Sequence, residues 1–102
     1  ITAIEKLFGE HAYELNISST KSMTGHLLGA TGALEVIATA LAIKNQTVPP
    51  TINHADDDVD ETFDPRLNFT FNKPQKRVIN YAISNAFGFG GHNVCIALKK
   101  FE

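Results

Sequence analysis

The first part of the chain has one helical and one strand-like pattern of hydrophobic and polar positions. Residues 2–9 favour a short helix, because Gly9 is typical of the residue that ends one. Residues 12–18 alternate apolar and polar side chains, which predicts a short strand. The polar run at residues 18–25 is rich in Ser and Thr, so we expect it to cap a following helix.

The most apolar segment is residues 27–43, in which Glu35 is the only charged residue. A membrane span needs about 20 apolar residues without a central charge, so this segment is not predicted to cross a membrane. A helix that is apolar on all sides must be buried within protein. Two interpretations stay open: a well-packed core helix of this chain, or a helix covered by further layers of the same protein outside it.

The second half of the chain is predicted to be mostly loop and sheet. Two prolines end any helix at residues 49 and 50, and the acidic residues 53–64 are loop-like. Residues 72–77 favour a polar turn and residues 87–91 a tight turn, so the strands on either side of the tight turn should pair as a hairpin. Apolar or alternating patterns predict strands at residues 67–71, 78–86 and 94–98.

Composition narrows the class of protein. With 102 residues, 43% of them hydrophobic and 20% charged, the chain makes one small globular domain at most. A net charge of −2 excludes a strongly basic nucleic-acid binder. Cys95 is the sole cysteine, which excludes a scaffold held by internal disulfides. The chain begins at Ile1 without a leader-like segment, so we expect it to be a piece of a longer protein.

Metal binding is not predicted. Asp56, Asp58 and Asp60 have the alternate spacing of a calcium loop, but Glu61 stands where that loop needs Gly and Leu67 where it needs Glu. A solvated loop is therefore favoured. The histidines are too widely separated to be paired zinc ligands: His11, His26, His54 and His92.

A first candidate site combines His26, Lys21 and Glu35. His26 stands at the predicted entrance of the apolar helix, where the partial positive charge favours a neutral imidazole that can donate to a carbonyl oxygen. Glu35 lies inside that helix, where a buried carboxylate needs a partner. Lys21 is the nearest unassigned cation, so we predict a Lys21–Glu35 ion pair that anchors the loop. The alternative is a structural histidine with a lysine in solvent.

A second candidate site is the loop Gly88-Phe89-Gly90-Gly91. Its glycines permit unusual backbone angles, so Phe89 can swing as a gate or present its backbone N–H to a ligand. An ordinary glycine-rich hairpin turn is the alternative.

Three segments resemble the β-ketoacyl-acyl-carrier-protein synthases, most closely the type II condensing enzymes of bacterial fatty acid synthesis. They are Ser-Ser-Thr-Lys-Ser-Met-Thr-Gly-His at residues 18–26, Gln-Thr-Val-Pro-Pro-Thr-Ile-Asn at residues 46–53, and Asn-Ala-Phe-Gly-Phe-Gly-Gly-His-Asn at residues 85–93. The resemblance covers essentially the whole chain. It implies an α/β fold, in which residues 1–102 form one segment of the C-terminal half of a thiolase-like αβαβα layered sandwich, with a mixed sheet and one buried central helix.

The resemblance also implies a reaction, a decarboxylative Claisen condensation of malonyl-carrier protein with an acyl group held on a cysteine. His26 would stabilise the enolate, Lys21 would orient the site with Glu35 as its partner, and Phe89 would gate the acyl site and donate its N–H to an oxyanion. The nucleophilic cysteine lies outside this chain, since Cys95 falls in a predicted strand with apolar neighbours, where a thiol is normally inert.

The same family implies acyl carrier protein and the rest of the synthase chain as partners, a homodimer, a cytoplasmic location, and no cofactor, metal, membrane or nucleic acid. Other hypotheses stay open. They are a non-catalytic chain-length-determining or scaffold relative, a polyketide ketosynthase segment, and a free-standing binding module.

Overall fold

The computed structural model describes residues 1–57 and 60–101, apart from the side chain of Phe89. These residues combine helix and sheet, as predicted, and none of their helices is long and apolar enough to cross a membrane. The helices are α1 (Thr2–Phe8), α2 (Lys21–Thr24) and α3 (Thr31–Asn45), and 3₁₀ turns span Gly9–Glu14, Leu28–Ala30 and Phe89–Gly91. The strands are β1 (Thr47–Val48), β2 (Gln75–Lys76), β3 (Tyr81–Phe87) and β4 (Asn93–Lys99).

The N-terminal segment departs from its predicted strand. Helix α1 ends as expected, with Gly9 at a φ of 55°. The strand predicted at residues 12–18 is wrong, because a 3₁₀ turn continues to Glu14 and only a single bridge, from Asn16 to Asn68, pairs the rest with another segment. The alternating pattern at residues 12–18 reflects side chains that are half-buried. Among the described residues, no neighbouring strand pairs with this segment in a ladder.

Helix α3 begins four residues later than the pattern predicted. Leu28 has a φ of 51°, in the left-handed region, so residues 28–30 form a 3₁₀ turn and the regular helix starts at Thr31. The expected capping by residues 18–25 is also wrong. That run forms α2, and no side chain caps the start of α3.

Gln46 links the end of α3 to the strand region. It adopts a left-handed conformation directly after the helix, with a φ of 51°. Its side-chain amide accepts from the Ile79 N–H at 2.8 Å and donates to the Ile79 carbonyl at 2.9 Å. The amide thus pairs with the Ile79 backbone as a neighbouring strand would.

Helix α3 packs mainly against β3, with smaller contacts to β1 and β4, and leaves part of its surface exposed. Thr31 and Ile43 are its buried residues, whereas Ile37 is 57% exposed and Leu41 is 49% exposed. The interpretation of a core helix packed by this chain's own elements is therefore wrong, because two short sheets cannot surround it. Cover by further layers stays a prediction.

Strands β3 and β4 form the predicted hairpin. They pair antiparallel, from Tyr81 opposite Lys99 to Phe87 opposite Asn93. The hairpin begins three residues later than predicted, since residues 78–80 are not paired as strand. Cys95 lies in β4 as expected, although its thiol is exposed in this chain rather than enclosed by apolar neighbours.

The segment at residues 67–71 is not the strand that its alternation predicted. Thr70 has a φ of 53°, which breaks the extended backbone, and isolated parallel bridges replace a ladder. A side-chain network holds the segment: the Asn16 amide donates to Thr70 Oγ1 at 3.0 Å and to Gln75 Oε1 at 2.7 Å, and Asn68 and Gln75 pair through their amides. The predicted polar turn at residues 72–77 contains the short strand β2, paired antiparallel with β1.

The acidic residues 53–64 form a loop over their described part, as predicted, and Asp58 of the discarded calcium pattern lies outside the described residues. The Arg66 guanidinium donates hydrogen bonds to both carboxylate oxygens of Asp64. These hydrogen bonds hold the pKa of Asp64 well below its ordinary value. Within residues 1–57 and 60–101, no group of His, Cys, Asp or Glu side chains is arranged to hold a metal ion.

We expect the 102-residue chain on its own to self-associate and to bind a hydrophobic dye, because α3 and the hairpin expose large apolar side chains. Replacing Ile37 and Leu41 by Gln should reduce dye binding and association, whereas Leu7→Gln on α1 serves as the matched control. Sedimentation and dye fluorescence measure both effects. A monomer with a sharp thermal unfolding transition would contradict the expectation. The exposed residues concerned are Ile37, Leu41, Tyr81, Ile83, Phe87, Val94 and Ile96.

Candidate active site

The predicted ion pair between Lys21 and Glu35 is confirmed. Lys21 Nζ lies 2.6 Å from Glu35 Oε1, and the two side chains are 37% and 17% exposed. Lys21 is the first residue of α2, and Glu35 lies one turn inside α3. The pair therefore fastens the loop that carries α2 to the apolar helix, in a partly dehydrated setting where a lone charge would be unfavourable.

Two further hydrogen bonds hold the same loop. Ser22 Oγ accepts the Ile52 N–H at 2.9 Å, and Thr51 Oγ1 accepts the Ser19 N–H at 2.9 Å. These contacts join the loop to the segment that follows the two prolines. Sequence patterns gave no sign of them, because each joins residues about 30 positions apart.

His26 is held by the turn in front of α3. The Leu28 N–H donates to His26 Nδ1 at 3.0 Å, and Thr31 Oγ1 lies 3.1 Å from the same nitrogen. A backbone N–H can only donate, so Nδ1 is the unprotonated nitrogen. The ring is then a neutral imidazole with its proton on Nε2, free to donate to a carbonyl oxygen.

A neutral His26 was predicted from the field at the start of the apolar helix, but the structure gives it a different cause. The histidine stands five residues before α3 rather than at its entrance, because of the 3₁₀ turn at residues 28–30. The field of a helix terminus falls off within about one turn, so it is weak at His26. The hydrogen bond that Nδ1 accepts from Leu28 sets the tautomer of the ring instead.

The glycine loop joins β3 to β4. The Gly88 N–H donates to the His92 carbonyl at 2.7 Å, which closes the loop, and Gly90 and Gly91 have φ values of 75° and 82°. Such angles favour glycine. The backbone of Phe89 starts the 3₁₀ turn, while its side chain lies outside the described part of the chain, so its gating role stays a prediction.

The structure joins some of the predicted site residues and not others. Lys21 meets Glu35, and His26 meets Thr31, which sequence reasoning missed. Among the described residues, these hydrogen bonds and ion pairs do not extend to the glycine loop. Thr31 could have been noticed as a hydroxyl five positions after a histidine, but only the turn shows that the two meet.

Lys21 and Glu35 also line an open groove of about 640 Å³ between α1, α3 and β3. Its walls are mixed: apolar side chains such as Ile4, Ala38 and Ile83 alternate with polar ones such as Thr39 and Ser84. The ion pair thus lies in a groove that offers both apolar and hydrogen-bonding surface.

We expect Glu35→Gln to loosen the loop at residues 20–25, because the substitution removes the counter-charge of Lys21 while keeping the shape of the side chain. The loss should be about 1–2 kcal/mol, read as faster amide hydrogen exchange in this loop. Glu61→Gln in the exposed acidic loop is the control. In combination with Lys21→Met, the two losses should be less than additive. Unchanged exchange would refute an anchoring role.

Comparison with known proteins places the chain among its relatives. The family model for the beta-ketoacyl synthase C-terminal domain matches residues 1–55. The proteins named 3-oxoacyl-acyl-carrier-protein synthase 2 of Synechocystis sp. and Staphylococcus aureus (strain COL) are 48% and 51% identical to it, over 98% and 100% of this chain. That of Coxiella burnetii is 51% identical over 96% of this chain.

A solved structure gives the same indication. A complex described as a type II PKS acyl-carrier protein with its ketosynthase bound to the hexaketide matches 98% of this chain with a TM-score of 0.85 and 35% identity. This chain covers 24% of that one, and it spans about a quarter of the length of its curated relatives. The observed helices and strands thus fit an α/β thiolase-like fold, and the chain belongs to the beta-ketoacyl synthase family.

Proposed function

We propose that this chain is one segment, residues 1–102, of the C-terminal domain of a condensing enzyme that elongates fatty acids. The enzyme would catalyse the decarboxylative Claisen condensation of malonyl-carrier protein with an acyl-enzyme thioester. Identity of 48–51% to proteins named 3-oxoacyl-acyl-carrier-protein synthase 2 supports the reaction class. The single observation that carries the proposal is the hydrogen bond from the Leu28 N–H to His26 Nδ1, which leaves Nε2 as the donor, on the same loop as the Lys21–Glu35 pair.

His26 acts on the malonyl thioester. When the carbon–carbon bond to the carboxylate breaks, carbon dioxide leaves and the electron pair moves onto the thioester oxygen as an enolate. A hydrogen bond from Nε2–H stabilises that oxygen more as its negative charge grows, which lowers the barrier. The enolate carbon then attacks the acyl thioester carbonyl, and the cysteine leaves as thiolate. That cysteine would be supplied by a part of the enzyme outside this chain.

Lys21 and Glu35 position the loop that holds His26. Both ends of that loop are fastened, by the ion pair at its start and by the turn before α3 at its end. Such a fixed loop holds a donor within the few tenths of an ångström that catalysis needs. Phe89 is proposed as the gate to the acyl site, with its backbone N–H as part of the oxyanion hole and Gly88, Gly90 and Gly91 permitting the motion.

The proposed partners are acyl carrier protein, carrying malonyl and acyl groups, and the remainder of the synthase chain. A structural neighbour described as a ketosynthase in complex with an acyl-carrier protein supports the first. Further layers from that remainder would cover α3, whose Ile37 and Leu41 are exposed here. A homodimer and a cytoplasmic location complete the proposal, with no cofactor.

Polyketide elongation is the second candidate, since the structural neighbour is a polyketide ketosynthase. Its identity of 35% is lower than the 48% and 51% to the 3-oxoacyl synthases, which favours fatty acid elongation. A non-catalytic chain-length or scaffold relative is disfavoured, because such a protein needs neither the held Nε2–H donor of His26 nor the Lys21–Glu35 pair.

In the complete enzyme, His26→Ala should lower carbon dioxide release from malonyl-carrier protein by about 100-fold or more, because the enolate loses its hydrogen-bond donor. Transfer of the acyl group to the cysteine should stay within about twofold, since that step forms no malonyl enolate. His11→Ala, at an exposed histidine of the 3₁₀ turn, is the control. Equal loss of both steps would mean a structural role for His26.

Gly90→Ala should slow acylation of the enzyme, because a residue with a side chain resists the φ of 75° that the loop requires. Gly32→Ala in α3 is the matched control. Within the described part of this chain, nothing beyond the neighbouring residues and backbone of α3 itself lies within 4 Å of the added methyl group, and alanine favours helix. Stopped-flow acylation measures the step. If Gly90→Ala acylates as fast as Gly32→Ala, the loop does not need the left-handed conformation for function.

A further inference from the structure

Among the hydrogen bonds of the described residues, Thr31 is the one side chain that contacts both the His26 ring and the backbone at the start of the following 3₁₀ turn. It is the first residue of α3 and is only 6% exposed. Its Oγ1 accepts the Leu27 N–H at 2.7 Å and lies 3.1 Å from His26 Nδ1. The positions of both hydrogen-bond partners decide where its hydroxyl proton points.

The proton assignment follows from these two contacts. The Leu27 N–H can only donate, so it occupies a lone pair of Thr31 Oγ1 and leaves the hydroxyl proton free. His26 Nδ1 already accepts the Leu28 N–H at 3.0 Å and is therefore unprotonated. Unprotonated Nδ1 has one in-plane lone pair, so the Thr31 hydroxyl, 3.1 Å away, shares that lone pair with the Leu28 N–H in a bifurcated hydrogen bond.

The two donors belong to different elements. The Leu28 N–H comes from the 3₁₀ turn, whose first residue has a left-handed φ of 51°. Thr31 comes from the regular helix, which also carries Glu35. A contact from the 3₁₀ turn alone would let the imidazole ring move together with that turn. Contacts from two separate elements fix the direction of Nε2–H.

We propose that Thr31 is a positioning residue, whose hydroxyl orients the imidazole of His26 together with the Leu28 N–H and aims its Nε2–H at the thioester oxygen. The inference rests on the proposed function for its consequence in catalysis, but the ring orientation itself stands on the hydrogen bonds alone. Thr31 touches no substrate in this scheme. It acts through His26 only.

The test replaces Thr31 by Val, Ala and Ser in the full-length protein that contains this chain. Thr31→Val removes the hydroxyl and keeps the shape, Thr31→Ala also removes the hydroxyl without adding contacts, and Thr31→Ser restores it. Thr39→Val is the matched control, because it deletes another hydroxyl of α3, one that donates to the Glu35 carbonyl at 2.7 Å.

Nitrogen-15 NMR of the His26 ring is the first readout. Since the Leu28 N–H still faces Nδ1, Thr31→Val and Thr31→Ala should keep the Nε2–H form but show exchange broadening from a more mobile ring, whereas Thr31→Ser and Thr39→Val should match the unsubstituted protein. The second readout is decarboxylation of malonyl-carrier protein. The kcat should fall about fivefold without the hydroxyl, the rate equivalent of one neutral hydrogen bond, with KM unchanged within twofold.

The outcomes separate the two hypotheses. If the unsubstituted protein releases no carbon dioxide, the proposed function fails, and the NMR result still decides whether Thr31 restrains the His26 ring. If all variants match in both readouts, or if Thr39→Val changes as much as Thr31→Val, the inference is overturned. If Thr31→Val fails to fold, the comparison of Thr31→Ala with Thr31→Ser decides in its place.

Discussion

The ion pair between Lys21 and Glu35 is the constraint on which the arrangement of the candidate site depends. A carboxylate that is only 17% exposed on a mostly apolar helix is unfavourable without a partner, and the partner comes from a separate element 14 residues earlier. Satisfying Glu35 therefore draws the α2 loop against α3. The same contact sets where the chain re-enters the turn that holds His26, so an electrostatic requirement of one helix residue becomes a positional restraint on a histidine.

Side-chain amides make hydrogen bonds between segments that a backbone ladder would make in a regular sheet. Gln46 pairs with both polar groups of Ile79, and Gln75 joins Asn16 to Asn68. These amides supply a donor and an acceptor at spacings similar to those of a strand edge, which lets non-strand segments lie against one another without leaving polar groups unpaired. In the described part of the chain, the strands outside the β3–β4 hairpin are consequently the two-residue β1 and β2.

This substitution explains which parts of the fold could be predicted from the sequence. The β3–β4 hairpin followed from apolar strands around a glycine loop, and α1 followed from Gly9, since both depend on neighbouring residues. The strands predicted at residues 12–18 and 67–71 were wrong because alternation reports which side chains are half-buried, not what the backbone bonds to. Thr70 has a left-handed backbone conformation, and threonine is not a residue type that indicates this conformation in a sequence.

The candidate site divides along the same line. The Lys21–Glu35 pair was predictable, because a charge inside an apolar helix demands a partner and few cations were available. The role of Thr31 was not, since it depends on a left-handed Leu28 that turns the chain so that His26 Nδ1 faces the helix start.

The tautomer and orientation of the His26 ring thus have a local cause, and this changes what the site requires of the rest of the protein. A helix field would weaken if α3 frayed, whereas a backbone N–H and a buried hydroxyl hold the ring as long as one turn persists. The exposed apolar side chains of α3, Ile37 and Leu41, lie two and six residues beyond Glu35. Covering that side and orienting the donor are therefore separate tasks, carried by different side chains of one helix.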